Sequence, residues 1–235
     1  MNIVLLEPGD FVAENRVRLH GRRRDHIAKI LGAAAGDELR VGIINIGVGI
    51  GRIEHLGGDT VELTVSLHGQ PPPSLPLRLI LALPRPKILN RTIAAAASMG
   101  IREIHLINSW RVEKSYWKSP RLSAENLRMQ SILGLEQAGD TMLPAIHLHR
   151  LFTPFVRDEL PRLIQPSIAL LAHPGASTPL ARGMAGPIIL AIGPEGGFIE
   201  REVSTFRDIG FDIVSFGPRI LRVETALAFL VGRLF

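Results

Sequence analysis

The residues best able to do chemistry crowd into positions 187–235, PIILAIGPEGGFIEREVSTFRDIGFDIVSFGPRILRVETALAFLVGRLF. Two strand–loop–helix units follow one another there. An apolar run over 188–192 meets Gly193, Pro194, Glu195, Gly196 and Gly197, and an amphipathic helix is predicted over 199–209. A second apolar run over 213–216 meets Gly217, Pro218 and Arg219, and a helix is predicted from Leu221 onward. A buried strand that ends in glycines and opens into a helix is how α/β proteins build ligand sites, because backbone comes close and helix N–H groups are free. Two such loops in succession can wall one pocket. Arg222 stands beside that pocket, with Thr225 one turn on and on the same face. Its guanidinium can hold a carbonyl or phosphate oxygen, or pair with Glu224. Glu224 is also a candidate proton acceptor. Glu195 can face a cationic ligand group or accept N–H bonds at the start of the next helix.

These elements require a scaffold that alternates strands and helices, and the chain from Leu75 supplies it. Strands are predicted over 77–83, 103–107, 146–148 and 167–172, and helices over 87–99, 123–138 and 153–164. Gly100 and Gly139 stand where those first two helices would end, Ser123 is a plausible N-cap, and Thr153-Pro154 has the cap-then-proline order. Alternating strands and helices predict a mostly parallel sheet covered on both faces. Its carboxyl edge would gather the loops at 170–174, 192–197 and 216–221. Before the triproline stretch 70–74 the pattern is β-rich, with one short helix predicted over 25–31 and a clear strand over 60–65. That division predicts a small β-barrel at 1–70 and an α/β domain at 74–235.

The chain has 235 residues, is 46% hydrophobic and contains no cysteine, so a folded core is expected and thiol chemistry is excluded. The N-terminus lacks a signal-peptide pattern and no apolar run could span a bilayer, which predicts a cytoplasmic protein without membrane contact. No G-x-G-x-x-G follows the first α/β strand and no phosphate-loop motif occurs, so nicotinamide and nucleoside-triphosphate sites are unsupported. His147-x-His149 lacks a third ligand nearby in sequence, so no metal is expected. Six of the eight basic residues in 1–70 fall at Arg16, Arg18, Arg22, Arg23, Arg24 and Lys29, with Asp25 the single acid among them. Clustered cations read as a polyanion footprint or as a solvated basic face. The segment WRVEKSYWKSPR, 110–121, interleaves Arg111, Lys114 and Lys118 with three aromatics. It reads as an RNA-stacking loop or as aromatics packed on the domain.

GPEGGF followed by GPRILRVETA resembles the signature of the RsmE-type small-subunit ribosomal RNA methyltransferases, of the knotted SPOUT class. The resemblance covers the whole chain in layout and is specific mainly in these two loops. It implies a homodimer that moves a methyl group from S-adenosylmethionine to uracil N3 of RNA in the small ribosomal subunit. It also implies a PUA-like RNA-binding first domain, whose helix element would match residues 26–31. The cofactor loops of that class match residues 171–173, 193–197 and 216–226 here. Carried over, Leu171, His173, Gly193, Glu195, Gly196, Gly197, Phe216, Ile220, Leu221, Thr225 and Ala226 would bind the cofactor, and Arg222 and Glu224 would be catalytic. The rival readings are a non-catalytic RNA-binding assembly factor and methylation of a ribose 2′-hydroxyl or another base. Two departures remove positive charge: Ala95 stands near a position often occupied by lysine, and Gly139-Asp140 stands where relatives often carry Gly-Arg.

Overall fold

The computed structural model describes residues 2–235. The chain divides into two compact units. The first runs to Pro73 and takes in Ile132–Leu143; the second comprises Ser74–Ser131 and Pro144–Phe235.

The first unit holds strands β1 (Val4–Leu6), β2 (Phe11–Ala13) and β3 (Arg16–His20), helix α1 (Gly21–Asp25) continued by a π-helical turn (His26–Ile30), then β4 (Glu38–Ile43), β5 (Gly47–Gly57) and β6 (Thr60–Gly69). They form one six-stranded sheet in the order β1-β4-β5-β6-β3-β2. β1 pairs with β4 in parallel and the other pairings are antiparallel. Alternation sets the core face: Val61 and Leu63 of β6 lie opposite Leu19 and Val17 of β3, and all four are buried. The glycine-punctuated stretch 46–51 becomes strand because β6 passes so close that any side chain at Gly49 would strike the Ser66 carbonyl.

The basic cluster at 16–29 is not a free cationic patch. Glu62 takes Arg16 and Arg18 at 3.2 and 2.9 Å, Glu136 takes Arg22 in a bidentate pair, and Asp10 takes Arg23 likewise. Arg24 and Lys29 share Asp25, each at 3.1 Å. Every cation read there as an RNA contact already has a carboxylate, and for Arg16, Arg18 and Arg22 it is supplied from far along the chain. Asp140, a departure from the resembled pattern, is buried and accepts the N–H groups of Thr141 and Met142.

The second unit holds β7 (Leu77–Ala82), α2 (Pro86–Ser98), β8 (Glu103–Ile107), the beginning of α3 (Ala124–Ala138), β9 (Ala145–His149), α4 (Phe152–Pro154), a π-helical turn (Phe155–Glu159), α5 (Leu160–Ile164), β10 (Ile168–Ala172), β11 (Thr178–Pro179), β12 (Ile188–Ile192), α6 (Glu200–Asp208), β13 (Asp212–Ser215) and α7 (Val223–Leu234). The sheet is wholly parallel, in the order β11-β13-β10-β12-β7-β8-β9. Central β12 is buried at all five positions, as a strand covered on both faces must be. Ser123 Oγ accepts the Asn126 N–H at the start of α3, and Gly100 and Gly139 adopt φ of +79° and +74° just past α2 and α3. The helix predicted over 153–164 forms over 152–164 with a π-helical turn in its middle, and it is entered from Leu151 rather than capped by Thr153.

Parallel register corrects the reading of the histidines. His105 lies opposite His147, and Glu103 is two residues before it on the same face, so a third ligand-type group does stand beside the His147-x-His149 pair. These groups bond one another: His105 contacts His149 at 3.0 Å and Glu103 at 2.9 Å, and Glu103 also pairs with Arg78. Burial pushes the His105 pKa down from 6.5 to about 4, with His147 and His149 adding to the effect and Glu103 opposing it. A folded pKa below the unfolded one means that the unfolded chain binds the proton first. Stability is therefore full above about pH 6.5 and falls as pH drops towards 4, by at most about 3 kcal/mol from this group. Thermal melts between pH 7.5 and 5 are expected to show the decline, and His105→Gln to flatten it. An unchanged slope in the variant would remove His105 as the cause.

Candidate active site

The carboxyl ends of β10, β12 and β13 lie side by side, and the loops that leave them enclose a cavity of ≈ 250 Å³. Ala172 and His173 form one wall, residues 193–198 a second, and Phe216, Ile220, Leu221, Val223 and Ala226 a third. This is just under the ~300 Å³ at which small-molecule sites usually begin, and suits a nucleoside better than a dinucleotide. Its lining is largely apolar side chains and glycine backbone. Ile220 is 79% exposed, an apolar wall that a bound ligand would cover.

The glycines have distinct reasons. Gly197 holds φ +71°, which L side chains rarely adopt. A Cβ at Gly193 would lie 3.1 Å from the Phe198 nitrogen and 3.2 Å from the Gly197 Cα, backbone that cannot swing away. Gly193→Val is therefore expected to displace the loop and weaken ligand binding here about ten- to hundredfold, the effect of 1–3 kcal/mol of overpacking. Titration calorimetry with S-adenosylmethionine checks this, and parental affinity would show that the loop does not form the wall.

Two residues expected in the cofactor set lie elsewhere. Leu171 is fully buried in the sheet core, one residue before the lining begins at Ala172, and Thr225 is on the exposed side of α7. Leu171 lies deeper along β10, packed within the sheet core, and Thr225 falls on the solvent side of α7. Arg111, read as an RNA contact, instead lines the cavity and donates to the Gly196 carbonyl, with its stem packed over that glycine.

A second, open cleft of ≈ 730 Å³ adjoins the first and shares Glu195 with it. Arg85, Lys87, Arg121, Arg222, Glu224 and Tyr116 line it. Arg222 is the N-cap residue of α7, exposed, and makes no pair with Glu224 or any other carboxylate among the described residues. One carboxylate oxygen of Glu224, Oε2, is buried and has no hydrogen-bond partner among the described residues. Glu195 lines both spaces, where a cationic ligand group could meet it, but it does not accept N–H bonds at the start of α6. Its Oε1 accepts the Arg85 backbone N–H at 3.0 Å and so ties the loop after β12 to the loop after β7; Glu202 caps α6 in its place. Motif reading passes over Arg85 and Lys87. A signal for them does exist, because Pro84-Arg85-Pro86-Lys87 follows a parallel strand directly at its carboxyl end.

A parallel α/β sheet whose carboxyl edge carries an apolar glycine-walled cavity beside a cationic cleft is the architecture of an RNA methyltransferase domain, and that family matches residues 71–234. The ribosomal RNA small subunit methyltransferase E of Treponema pallidum is 34% identical over 233 residues, covering 96% of this chain and 87% of the relative. The protein of the same name in Synechocystis is 26% identical over 222 residues, covering 92% of this chain and 71% of the relative. Among solved structures, the ribosomal RNA small subunit methyltransferase E of Neisseria gonorrhoeae bound to S-adenosylmethionine superposes with a TM-score of 0.76 at 21% identity, covering 98% and 95% of the two chains. A Legionella pneumophila protein solved with the same cofactor gives 0.77 at 22%, covering 98% and 94%. This chain belongs to the ribosomal RNA small subunit methyltransferase E family.

Proposed function

We propose that the chain methylates N3 of a uridine in small-subunit ribosomal RNA, with S-adenosylmethionine as donor. The observation that carries the reading is the adjacency of two spaces that share Glu195: a nucleoside-sized apolar cavity and a cationic cleft holding Arg222 and a carboxylate oxygen without a partner. The residues present fit that cofactor. The cavity is nucleoside-sized, and its walls are apolar side chains and glycine backbone with no cluster of free cations for a pyrophosphate. When bound, S-adenosylmethionine supplies an electrophilic methyl group on a sulfonium centre.

The protein's own part is to position and to manage charge. Uracil N3 carries a proton that must leave as the nitrogen becomes nucleophilic. In this reading Glu224 accepts that proton and Arg222 holds the adjacent carbonyl oxygen, where negative charge develops. Arg85, Lys87 and Arg121 hold flanking phosphates, which fixes the base against the cavity mouth. Phe216 and Ile220 keep water from the adenosyl side. Methylation of small-subunit RNA by the purified protein, followed by mass spectrometry of the nucleosides, tests the proposal. N3-methyluridine is expected. A 2′-O-methyl product, or no cofactor binding, would overturn it.

The first unit is proposed to be a PUA-like barrel that grips RNA, supported by its six-stranded, largely antiparallel sheet and its short helical segment. A SPOUT knot is supported by the strand order, since β10 lies between β12 and β13 and α7 returns to pack on α2. Work on ribosomal RNA implies a cytoplasmic location; no helix among the described residues is long and apolar enough to cross a membrane. A homodimer is supported by α7. Its inner face is buried, while Phe229 and Phe235 stay 45% and 43% exposed on the other side, beside Ala228 and Gly232. Sedimentation at twice the 25.7 kDa chain mass is expected, and a monomer at micromolar concentration would remove the claim.

A further inference from the structure

A third cleft, of ≈ 540 Å³, lies on the other side of the loop that follows β8. Trp110 and Lys114 reach it from that loop, Arg157 from the π-helical turn after α4, and Arg201 from α6. Trp110 is 79% exposed, yet its backbone is anchored: its N–H donates to Glu202 at 2.7 Å, and the other oxygen of that buried carboxylate takes the Ile199 N–H. The indole is thus presented by a fixed backbone. The loop's other tryptophan does the opposite, being buried with its Nε1 donating to Asn108.

Charge separates this cleft from the basic segment at 16–29. Lys114, Arg157 and Arg201 have no carboxylate partner among the described residues, and Glu202, which lines the same cleft, spends both oxygens on backbone N–H groups. The floor adds an unmet polar atom, the buried hydroxyl of Ser109. Glu202 holds the N–H of the N-cap residue Ile199 and sets a carboxylate at the start of α6, which disfavours a pyrophosphate there. A flat aromatic plate with three long cations suits a single strand, whose bases stack and whose phosphates are neutralised one by one.

We infer that this cleft binds a nucleotide of single-stranded RNA flanking the one to be methylated, its base stacked on Trp110 and its backbone phosphates held by Lys114, Arg157 and Arg201. Continuity supports the placement. The next residue, Arg111, lines the cofactor cavity, so one loop walls both spaces. The inference rests on the methyltransferase reading for the identity of the strand.

The test is RNA affinity as a function of salt, with a single-stranded small-subunit ribosomal RNA fragment as probe and full-length protein throughout. Trp110→Ala is expected to weaken binding roughly 5- to 150-fold, and Trp110→Phe to retain most of it. The Arg157→Ala/Arg201→Ala double variant is expected to lower the slope of log K against log salt by about 1.4, close to 0.7 for each phosphate left without its cation. Calorimetry with S-adenosylmethionine should give parental values for all three. RNA affinity and salt slope unchanged in Trp110→Ala and in the double variant would overturn the inference, as would a parent protein that does not bind the fragment. If the variants lose RNA and the parent binds no S-adenosylmethionine, the cleft stands and the methyl-donor reading falls.

Discussion

Arg222→Ala is expected to lower kcat by about 10²–10³-fold while S-adenosylmethionine binds as in the parent. The magnitude is that of removing one preorganised donor from a developing oxyanion, about 2.7–4 kcal/mol of barrier. Arg222 is suited to the role because it is not otherwise employed. It occupies the N-cap position of α7 without a side-chain cap bond, is exposed in the cationic cleft and pairs with no carboxylate among the described residues. It does not line the cavity proposed for the adenosyl group, so cofactor affinity and catalysis should separate. Arg222→Lys should recover little, since one ammonium cannot reproduce a planar fork of donors. Single-turnover methylation with calorimetry alongside checks both halves. A variant with parental kcat would return Arg222 to a surface charge, and a variant that loses the cofactor as well would make it a cavity residue.

How far the sequence reaches follows from what a sequence carries locally. The strands over 103–107 and 188–192 form with the bounds predicted for them, the second because it is a short apolar run closed off by a glycine–proline pair. The cavity is legible for the same reason: its walls are the loops directly after strands, and parallel strands end on one edge. What the sequence hides is what depends on distant residues. The cations at 16–29 look free until the fold brings Glu136 to Arg22 and Glu62 to Arg16 and Arg18, across 114, 46 and 44 positions. His105 looks isolated until β9 lays His147 opposite it. Arg111 reads as one more cation of a basic loop until Gly196 leaves room for its stem. Glu195 yields its expected helix-capping role to Glu202, which sits at the third position of α6 and can reach back to the Ile199 N–H. In each case residue type is read correctly from the sequence, and the partner, which sets the role, is not.

Glu224→Gln should be as damaging as the loss of Arg222, by a different route, with kcat falling about 10²–10⁴-fold. The carboxylate stands in the first turn of α7 with Oε2 buried and unbonded among the described residues. A buried oxygen without a partner costs stability, so its persistence at the edge of the cleft is explained if the substrate N3–H meets it. Glutamine preserves shape and hydrogen bonding but cannot carry the proton away. The fold should therefore survive, and the defect should lie in kcat with RNA affinity near parental. Raising the pH offers the decisive comparison. Uracil ionised by the solvent needs no base, so the variant's rate should climb with pH towards the parent's. A variant whose rate stays low at every pH would locate the fault in geometry, and one with parental kcat would leave the proton to solvent. If Glu224 and Arg222 act in one event, removal of a proton as the charge it leaves is neutralised, the double variant should lose little more than the worse single. Multiplicative losses would mean that the two groups serve separate steps.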